Sequence, residues 1–440
     1  METFERYLNH EIACPCGRTH FVPVERVEIG ENALASLYEY VLDRHVHCAM
    51  VIDDIHTRDV LGDRLCNLFM DSHKVAITHV TFEDDGHLSA DDAAIDRAKD
   101  AIAASKPELV IAVGSGTITD ITRYASFVSG IPFVSVPTAP SVDGYASTVA
   151  ALQLNGMKVT KSAHAPMAIF ALPSVMADAP AELIQAGFGD LVGKATSLLD
   201  WRLATVLYGE NWCEEAFRLV DTPLRYCVQQ ADRLKERDPE VIAILFSGLL
   251  SSGIAMAMMG NSRPASGCEH HFSHYWDFKA FRGVRPYRSH GLQVGFAVHF
   301  TMNLYEYLPR LESIYRPRPL VIDEEWIRRA HERWGDAAAE VVREQSAKAE
   351  WLQDHDTRLS WIGLTGETLA DMIDLDLEFF SKARSALLSI GIPDRPPYVD
   401  VTAELLQETL LHANEVRSRF TVLDFYMGQG LLGALSFSLD

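Results

Sequence analysis

The stretch LVIAVGSGTITD, residues 109–120, decides the fold of this chain, because an apolar run there ends in a glycine turn and is followed by a helical pattern. A strand, a turn and a helix in this order place backbone N–H groups at a helix N-terminus, where they can bind a pyrophosphate. Gly114 and Gly116 permit the close approach that a side chain would block. The turn lacks the third glycine of G-x-G-x-x-G and follows the third apolar run instead of the first, so a turn without a ligand remains an alternative.

Three further apolar runs flank this stretch, at residues 48–52, 75–80 and 133–136. Helical patterns such as residues 91–104 separate them, and this alternation predicts βαβ units and a mainly parallel sheet. From about Pro173 the pattern changes to long helical stretches, at residues 182–207, 240–259, 324–352 and 402–420. The sequence therefore predicts an α/β nucleotide-binding domain over residues 1–172 and an all-α domain over residues 173–440.

Charge and composition exclude several classes of protein. The chain of 440 residues has 48% hydrophobic and 23% charged residues, which is typical of a globular protein, and its net charge of −22 disfavours nucleic acids and anionic membranes as partners. Seven scattered cysteines and an acidic N-terminus without an apolar segment favour a reducing cytoplasm over secretion. The uncharged residues 241–262 are long enough to span a bilayer, but serines and glycines dilute them, so a buried helix is the favoured interpretation.

Acidic and imidazole side chains supply candidate ligands. Asp53 and Asp54 follow the first apolar run, where a carboxylate can hold a ribose hydroxyl and favour NAD over NADP. Four histidines lie within 21 residues, directly after an apolar helix: His270, His271, His274 and His290. With Asp190 they are candidates for a divalent-metal site. Cys14, Cys16 and His20 form a possible half of a separate zinc site that lacks a fourth ligand, and a reduced, inert pair of thiols is the favoured alternative.

Several motifs make the chain resemble the glycerol-1-phosphate dehydrogenase family. This family lies in the superfamily that also holds iron-dependent alcohol dehydrogenases, glycerol dehydrogenases and dehydroquinate synthases. The motifs are GSGTITD (114–120), PTAPSVDGYAS (137–147), GFGD (187–190), RPASGCEH (263–270) with Ser273-His274, and SHG (289–291). The resemblance implies an N-terminal α/β nucleotide domain and a helical C-terminal domain, with the active site in the cleft between them.

Carried over position by position, the resemblance implies site residues. NAD(P) contacts are implied at Gly116, Thr117, Ile118, Thr119, Asp120, Thr138, Ala139, Pro140, Ser141 and Ser147. Asp190, His270 and His290 would ligate one divalent metal ion, and Asp143, Asp190 and His274 would contact substrate. His271 is not selected. The C-terminal half is larger than in archaeal relatives, which use zinc, and resembles bacterial members, which are associated with nickel.

The implied reaction is the NAD(P)H-dependent reduction of dihydroxyacetone phosphate to sn-glycerol 1-phosphate, with the metal as Lewis acid on the C2 oxygen. His274 is the candidate for proton transfer, and Asp143 would position substrate hydroxyls. A cluster of cations between the two histidine ligands is the candidate phosphate anchor, although a solvated basic loop is an equal alternative: Lys279, Arg282, Arg285 and Arg288. Other candidate anchors are Arg263, Lys158 and Lys161.

Three other functions remain open from the sequence. A glycerol dehydrogenase or another polyol dehydrogenase would prefer an unphosphorylated substrate, and a dehydroquinate-synthase-like lyase would keep its NAD as an internal redox relay. From a different class, the chain could be a non-catalytic sensor of nucleotide or metal. We expect a homo-oligomer, and a dimer in particular, because dimers are the commonest symmetric assemblies.

Overall fold

The computed structural model of the chain describes residues 4–83, 88–154, 157–355 and 361–434. By compactness the chain divides into two units, Met1–Leu191 with Thr222–Asn261, and Val192–Asp221 with Ser262–Asp440. The boundary at residue 172 that composition suggests stays a prediction of domain organisation, and the first compact unit also includes helical segments that follow it.

The described residues of the first unit form ten strands. They are β1 (Ile12–Ala13), β2 (Thr19–His20), β3 (Arg26–Ile29), β4 (Cys48–Asp54), β5 (Ala76–Phe82), β6 (Leu109–Gly114), β7 (Phe133–Pro137), β8 (Val149–Leu154), β9 (Met157–Ser162) and β10 (Ala168–Ala171). Six of them form one sheet in the order β3-β10-β7-β6-β4-β5, and every neighbouring pair in it is parallel. The four apolar runs are β4 to β7, so the predicted parallel sheet is confirmed.

The order of strands creates a switch point beside β6. From β4 the chain moves outward to β5, then returns to form β6 on the opposite side of β4 and continues to β7. The connections therefore diverge at the β4–β6 pair. Ligands of open parallel sheets bind at the carboxyl ends of strands at such a point, and here those ends are Asp54 and Gly114.

Helices accompany the sheet in the first unit. They are α1 (Ala33–Asp43), α2 (Ile55–Thr57), α3 (Asp63–Ser72), α4 (Asp92–Ser105), α5 (Gly116–Ser129), α6 (Pro173–Ala177), α9 (Ala231–Lys235) and α10 (Pro239–Met259), with the start of α7 (Ala181–Tyr208) and the second half of α8 (Glu214–Gln229). Successive residues of β6 point to opposite faces. Leu109 and Ile111 pack into the core that includes α1 and α3, and Val110 packs into the core that includes α4 and α5.

Helix α10 contains the apolar segment for which the sequence allows two interpretations, a buried core helix or a membrane-spanning helix. Its most apolar window has a mean hydropathy of 2.1, which is high enough for a membrane span, but 83% of that window is buried inside the protein. This burial is what the favoured interpretation, a core helix, requires.

The second unit is helical in its described residues. Beside the end of α7 and the start of α8 it contains α11 (Cys268–Phe281), α12 (His290–Tyr307), α13 (Glu324–Trp334), α14 (Ala338–Asp354), α15 (Gly366–Met372), α16 (Leu377–Ser389), α17 (Ala403–His412) and α18 (Val422–Gly428). The single helix expected over residues 324–352 is instead two helices, because the chain turns at Gly335 with φ +54°. The helix expected over residues 402–420 ends at His412.

Candidate functional site

The glycine turn joins β6 to α5 at the switch point. A Cβ atom at Gly114 would lie 2.6 Å from the Cβ of Ile118, so only glycine fits there. At Gly116 a Cβ would lie 3.1 Å from Val142, which is tight but less restrictive. The N-cap residue Ser115 makes no capping hydrogen bond with its side chain, so the first N–H groups of α5 keep their capacity to bind an anion.

The segment Thr138 to Ser141 lies beside this turn. Gly114 pairs with Pro137 in the sheet, and the Thr138 N–H donates to the Gly114 carbonyl at 3.2 Å. The Tyr145 hydroxyl donates to the Ala139 carbonyl at 2.6 Å and lies 3.3 Å from the hydroxyl of Ser141. The structure therefore brings together the first two groups of predicted nucleotide contacts.

A buried arginine that the sequence analysis missed fixes the rest of this loop. Arg123 on α5 pairs with Asp120 at 2.5 Å and donates to the carbonyls of Gly144 at 2.7 Å and Tyr145 at 3.0 Å. Burial lowers the pKa of Arg123, and the Asp120 carboxylate opposes that effect. An arginine in the buried face of an otherwise apolar helix was the available signal. Ser147 lies at the end of the loop, where its hydroxyl accepts from the Val149 N–H at 3.0 Å.

Helix α7 packs directly against this loop. A Cβ at Gly187 would lie 1.6 Å from the Pro140 carbonyl oxygen, so the GFGD motif needs glycine for close packing. One turn farther along α7, the Asp190 carboxylate accepts a hydrogen bond from the Asp143 N–H at 3.1 Å. The predicted substrate residue Asp143 is thus held at the predicted metal ligand Asp190.

Asp53 and Asp54 end β4 on the other side of the switch point. Asp53 is fully buried, and one of its oxygens accepts from the His79 imidazole at 2.6 Å; this hydrogen bond is the main cause that raises the pKa of His79 to about 10. The Oδ1 atom of Asp53 has no hydrogen-bond partner among the described residues. Asp54 instead caps α2 through the N–H groups of His56 and Thr57. The ribose contact of Asp53 stays a prediction.

The three predicted metal ligands lie together. Asp190 on α7, His270 on α11 and His290 at the start of α12 each offer a ligand atom, and these atoms all lie within 4.8 Å of one another. Asp190 and His270 are buried, and the two imidazole rings are 5.1 Å apart between centroids. One carboxylate and two imidazoles are a donor set that zinc and neighbouring first-row metals accept, with positions left for substrate.

A buried glutamate orients His270. The His270 Nδ1 atom lies 2.8 Å from Glu269 Oε1, so it donates there and leaves Nε2 for a metal. Glu269 also accepts from the Gly267 N–H at 2.8 Å and from the Thr196 hydroxyl at 2.7 Å. Burial raises the pKa of Glu269, and these hydrogen bonds oppose the shift. Glu269 lies in the motif RPASGCEH (263–270), but the motif alone does not indicate that Glu269 orients His270.

A second buried carboxylate positions the start of α11. Asp200 accepts from the N–H groups of Cys268 at 2.6 Å and Val422 at 2.7 Å, and from the Tyr305 hydroxyl at 2.7 Å. Burial raises its pKa to about 7. A Cβ at Gly267 would lie 2.4 Å from Asp200 Oδ2, so glycine is required where α11 begins.

His274 and His290 form the other side of the cluster. The ring of His274, one turn after His270, stacks on the ring of His290 at 5.7 Å. His290 Nδ1 lies 3.1 Å from the hydroxyl of Ser273, and His274 Nδ1 lies 4.0 Å from the carboxylate of Asp277. Each imidazole therefore has a neighbour on its Nδ1 side.

His271 is not a member of this group. It is fully buried, and neither of its ring nitrogens has a hydrogen-bond partner among the residues that the structure describes. Burial holds the pKa of His271 well below its usual range, so the ring is neutral and apolar in effect.

The predicted phosphate-binding cations differ in what they contact. Lys279 pairs with Glu408 at 2.7 Å, and Arg288 pairs with Asp400. Arg285 is buried, which lowers its pKa, and donates to Gln293 at 2.6 Å.

Arg282 is exposed, and its contact with the Arg333 carbonyl is long, at 3.5 Å. Among the other candidate anchors, Arg263 is buried and forms a bidentate pair with Glu210. Lys161 is exposed on β9, and the side chain of Lys158 lies outside the described residues.

Residues 28–180 match the family model of the iron-containing alcohol dehydrogenases. A glycerol-1-phosphate dehydrogenase [NAD(P)+] of Geobacillus stearothermophilus is 32% identical over 432 residues, which cover 96% of this chain and 98% of that enzyme. The enzyme of the same name from Bacillus licheniformis is 35% identical, over 80% of this chain and 92% of its own length.

The fold is shared with solved structures of low identity. A sulfoacetaldehyde reductase from Bifidobacterium kashiwanohense, solved with NAD+, has a TM-score of 0.58 at 13% identity, over 94% of this chain and 98% of that one. A 1,3-propanediol oxidoreductase gives the same TM-score and identity, over 91% and 94% of the two chains.

Proposed function

Because the chain belongs to the glycerol-1-phosphate dehydrogenase family of NAD(P)-dependent oxidoreductases, we propose that it reduces dihydroxyacetone phosphate to sn-glycerol 1-phosphate. The reaction uses NAD(P)H and one divalent metal ion, zinc or nickel, in a cytoplasmic homo-oligomer. The observation that carries the proposal is the grouping of Asp190, His270 and His290.

The donor set and its surroundings fit a metal ion. Glu269 and Ser273 occupy the Nδ1 sides of the two ligand histidines, which leaves both Nε2 atoms for coordination. Buried Asp190 adds a negative charge that a cation would neutralise. When bound, the metal supplies Lewis-acid polarisation of the substrate carbonyl, and NAD(P)H supplies the hydride.

The residues of the switch point fit a dinucleotide. The N–H groups at the start of α5 bind the pyrophosphate, with Gly114 and Gly116 giving it room. The buried Oδ1 atom of Asp53 lacks a partner that a ribose hydroxyl would provide. His79 neutralises the charge of Asp53, which weakens the repulsion of a 2′-phosphate that would otherwise favour NAD over NADP.

Two side chains act on the substrate. His274 is the candidate proton donor to the oxygen at C2 during reduction, because its ring stacks on that of His290 and it is only partly buried. The carboxylate of Asp277 lies 4.0 Å from His274 Nδ1. Asp143, held at Asp190 by its backbone N–H, positions substrate hydroxyls.

Arg282 is the better of the two proposed phosphate anchors. Arg285 is buried and already donates to Gln293, whereas Arg282 is exposed and makes no short hydrogen bond of this kind with the described residues. A guanidinium binds a phosphate through paired hydrogen bonds when it can turn toward it. We therefore assign the phosphate contact to Arg282 and the support of the surrounding loop to Arg285.

The test is an NADH-oxidation assay of metal-stripped protein that is reconstituted separately with zinc and nickel. We expect oxidation with dihydroxyacetone phosphate only after a metal is restored, and chiral analysis should identify sn-glycerol 1-phosphate. The His290→Ala variant should lose this activity while it still binds NADH, and His331→Ala, at an exposed histidine of α13, serves as the matched control.

Each other outcome identifies a different function. A higher kcat/KM for free dihydroxyacetone would identify a polyol dehydrogenase. Metal-replete protein that binds NADH but consumes none would contradict the proposal and favour an internal redox relay or a sensor.

A further inference from the structure

A second cluster of metal-binding side chains lies outside the proposed active site. Cys14, Cys16, His20 and Cys213 each offer one ligand atom, and these four atoms all lie within 4.8 Å of one another. None of the four takes part in the proposed reaction. The cluster completes the half-site that the spacing of the first three residues suggests, because Cys213 supplies a fourth donor from a distant part of the sequence.

A short hairpin fixes the first two thiols. Strands β1 and β2 pair antiparallel, and the turn between them is closed by hydrogen bonds from the Gly17 N–H to the Cys14 carbonyl and from the Cys14 N–H to the Arg18 carbonyl, both at 3.0 Å. Gly17 has φ +85°, which favours glycine, and Pro15 pre-sets the turn dihedral after Cys14. Both cysteines are therefore held at the tip of a defined turn.

His20 presents one specific nitrogen to the thiols. It is 1% exposed, and its Nδ1 atom donates to the Met258 carbonyl at 2.6 Å, because a carbonyl oxygen can only accept. The proton on Nδ1 leaves the Nε2 lone pair, which lies 3.3 Å from the Cys16 sulfur. In tetrahedral zinc geometry a nitrogen and a sulfur ligand lie about 3.5 Å apart, given zinc bonds of about 2.0 Å and 2.3 Å. The observed separation is close to that value.

Cys213 is fully buried directly before α8. Its sulfur accepts a hydrogen bond from the Ala216 N–H at 3.5 Å, in the first turn of the helix. The N-terminus of a helix stabilises a thiolate, which is the form that binds a metal. The contact therefore prepares the fourth donor for coordination.

We propose that Cys14, Cys16, His20 and Cys213 bind one structural zinc ion. Three thiolates and one imidazole are a soft donor set in the Cys₃His pattern, which zinc occupies tetrahedrally. With four protein ligands the site has no open position for substrate, in contrast to the proposed catalytic site. Zinc binding releases the three thiol protons and ties the N-terminal hairpin to the start of α8, so the ion stabilises the fold.

The experiment measures zinc in protein whose proposed catalytic site has been disabled. In the His290→Ala background, elemental analysis should find one zinc ion per chain after expression with added zinc. Cys16→Ser and Cys213→Ser should each lose that ion. The matched controls are Cys48→Ser, at a partly buried cysteine, and Cys227→Ser, at a fully buried one, and both should retain it.

A second measurement avoids substitutions in the cluster, since these variants can fail to fold. Replacement of zinc by Co²⁺ in otherwise unaltered protein should produce thiolate-to-cobalt charge-transfer absorption, and a mercurial reagent that blocks thiols should release the metal. Absence of that absorption would overturn the proposal, as would zinc that persists in folded Cys16→Ser protein. Two thiols found oxidised to a disulfide in the wild-type chain would also overturn it.

Discussion

The role of Glu269 leads to the most specific prediction. Three donors point at its carboxylate: the Gly267 N–H, the Thr196 hydroxyl and the His270 Nδ1–H, all between 2.7 and 2.8 Å. In Glu269→Gln, one carboxylate oxygen becomes an NH₂ group, which cannot accept. If that NH₂ group faces Thr196, the hydroxyl can turn to accept from it, and the substitution then removes mainly the negative charge that makes the His270 imidazole a more basic ligand. In the other orientation the NH₂ group faces His270, whose ring must move its proton to Nε2 and can then no longer bind a metal.

The size of the effect follows from this loss. Removal of such a partner of a ligating histidine weakens metal binding by about 10- to 100-fold. This range corresponds to roughly 1.4–2.8 kcal/mol, at 1.4 kcal/mol for each factor of ten. A buried N–H left unpaired would also lower the free energy of unfolding by about 1–3 kcal/mol.

Zinc affinity should be measured by competition with a colorimetric chelator, together with kcat at saturating metal. We expect weaker affinity with much of the activity restored by excess metal, because the ligands themselves remain. The control is Glu415→Gln, at another buried glutamate that accepts from Arg333 and Trp334 and does not contact the metal ligands. That variant should lose stability but keep its metal affinity. If Glu269→Gln binds zinc within twofold of wild type, the contribution of the Glu269 carboxylate to metal binding by His270 is refuted.

Three other predictions concern single residues. Asp190→Asn should lose metal and activity together, and a variant that keeps both by elemental analysis and NADH oxidation would remove Asp190 from the site. Arg282→Glu should raise the KM for dihydroxyacetone phosphate far more than that for dihydroxyacetone, whereas Arg285→Ala should mainly lower the melting temperature; equal effects of Arg282→Glu on both substrates would contradict the phosphate contact. The pKa of His79 is raised to about 10 by its hydrogen bond to Asp53, so its stabilisation is complete below a pH of about 6.5 and is lost as the pH rises through 10. Denaturant unfolding at several pH values should show this loss in wild type, and a His79→Gln variant with the same pH slope would contradict it.

The sheet could be predicted because buried parallel strands are continuous apolar runs. This holds for β4, β6 and β7, and the glycine turn after β6 was found for the same reason; β5, AITHVTF, is an edge strand that is mostly half-buried. Strand β3, Arg26–Ile29, has only four residues and alternates charged with apolar ones, so its pattern is too short to separate from a loop. The break at Gly335 depends on a left-handed backbone conformation that apolar periodicity does not indicate.

The metal ligands required the family resemblance, because Asp190 and His270 are 80 residues apart and no local spacing rule joins them. Their supports could not be predicted at all. The Asp200 carboxylate accepts a hydrogen bond from the N–H of Val422, which lies 222 residues away in the sequence. The two groups meet only after the chain has folded. The cationic loop shows another limit of the sequence. The sequence shows four cations there but not which of them is paired, because the acidic partner of Lys279, Glu408, lies 129 residues away in the sequence.

The hydrogen bond from the Asp143 N–H to the Asp190 carboxylate has a thermodynamic consequence. Asp143 belongs to the loop proposed to hold the nucleotide, and Asp190 is a proposed metal ligand. When either residue is ordered, the hydrogen bond restricts the motion of its partner. Bound nucleotide should therefore arrange part of the metal site in advance, and bound metal should arrange part of the nucleotide site. Reciprocity then requires that NADH tighten metal binding by the same factor by which the metal tightens NADH binding. An apoenzyme of this kind would load its two ligands cooperatively.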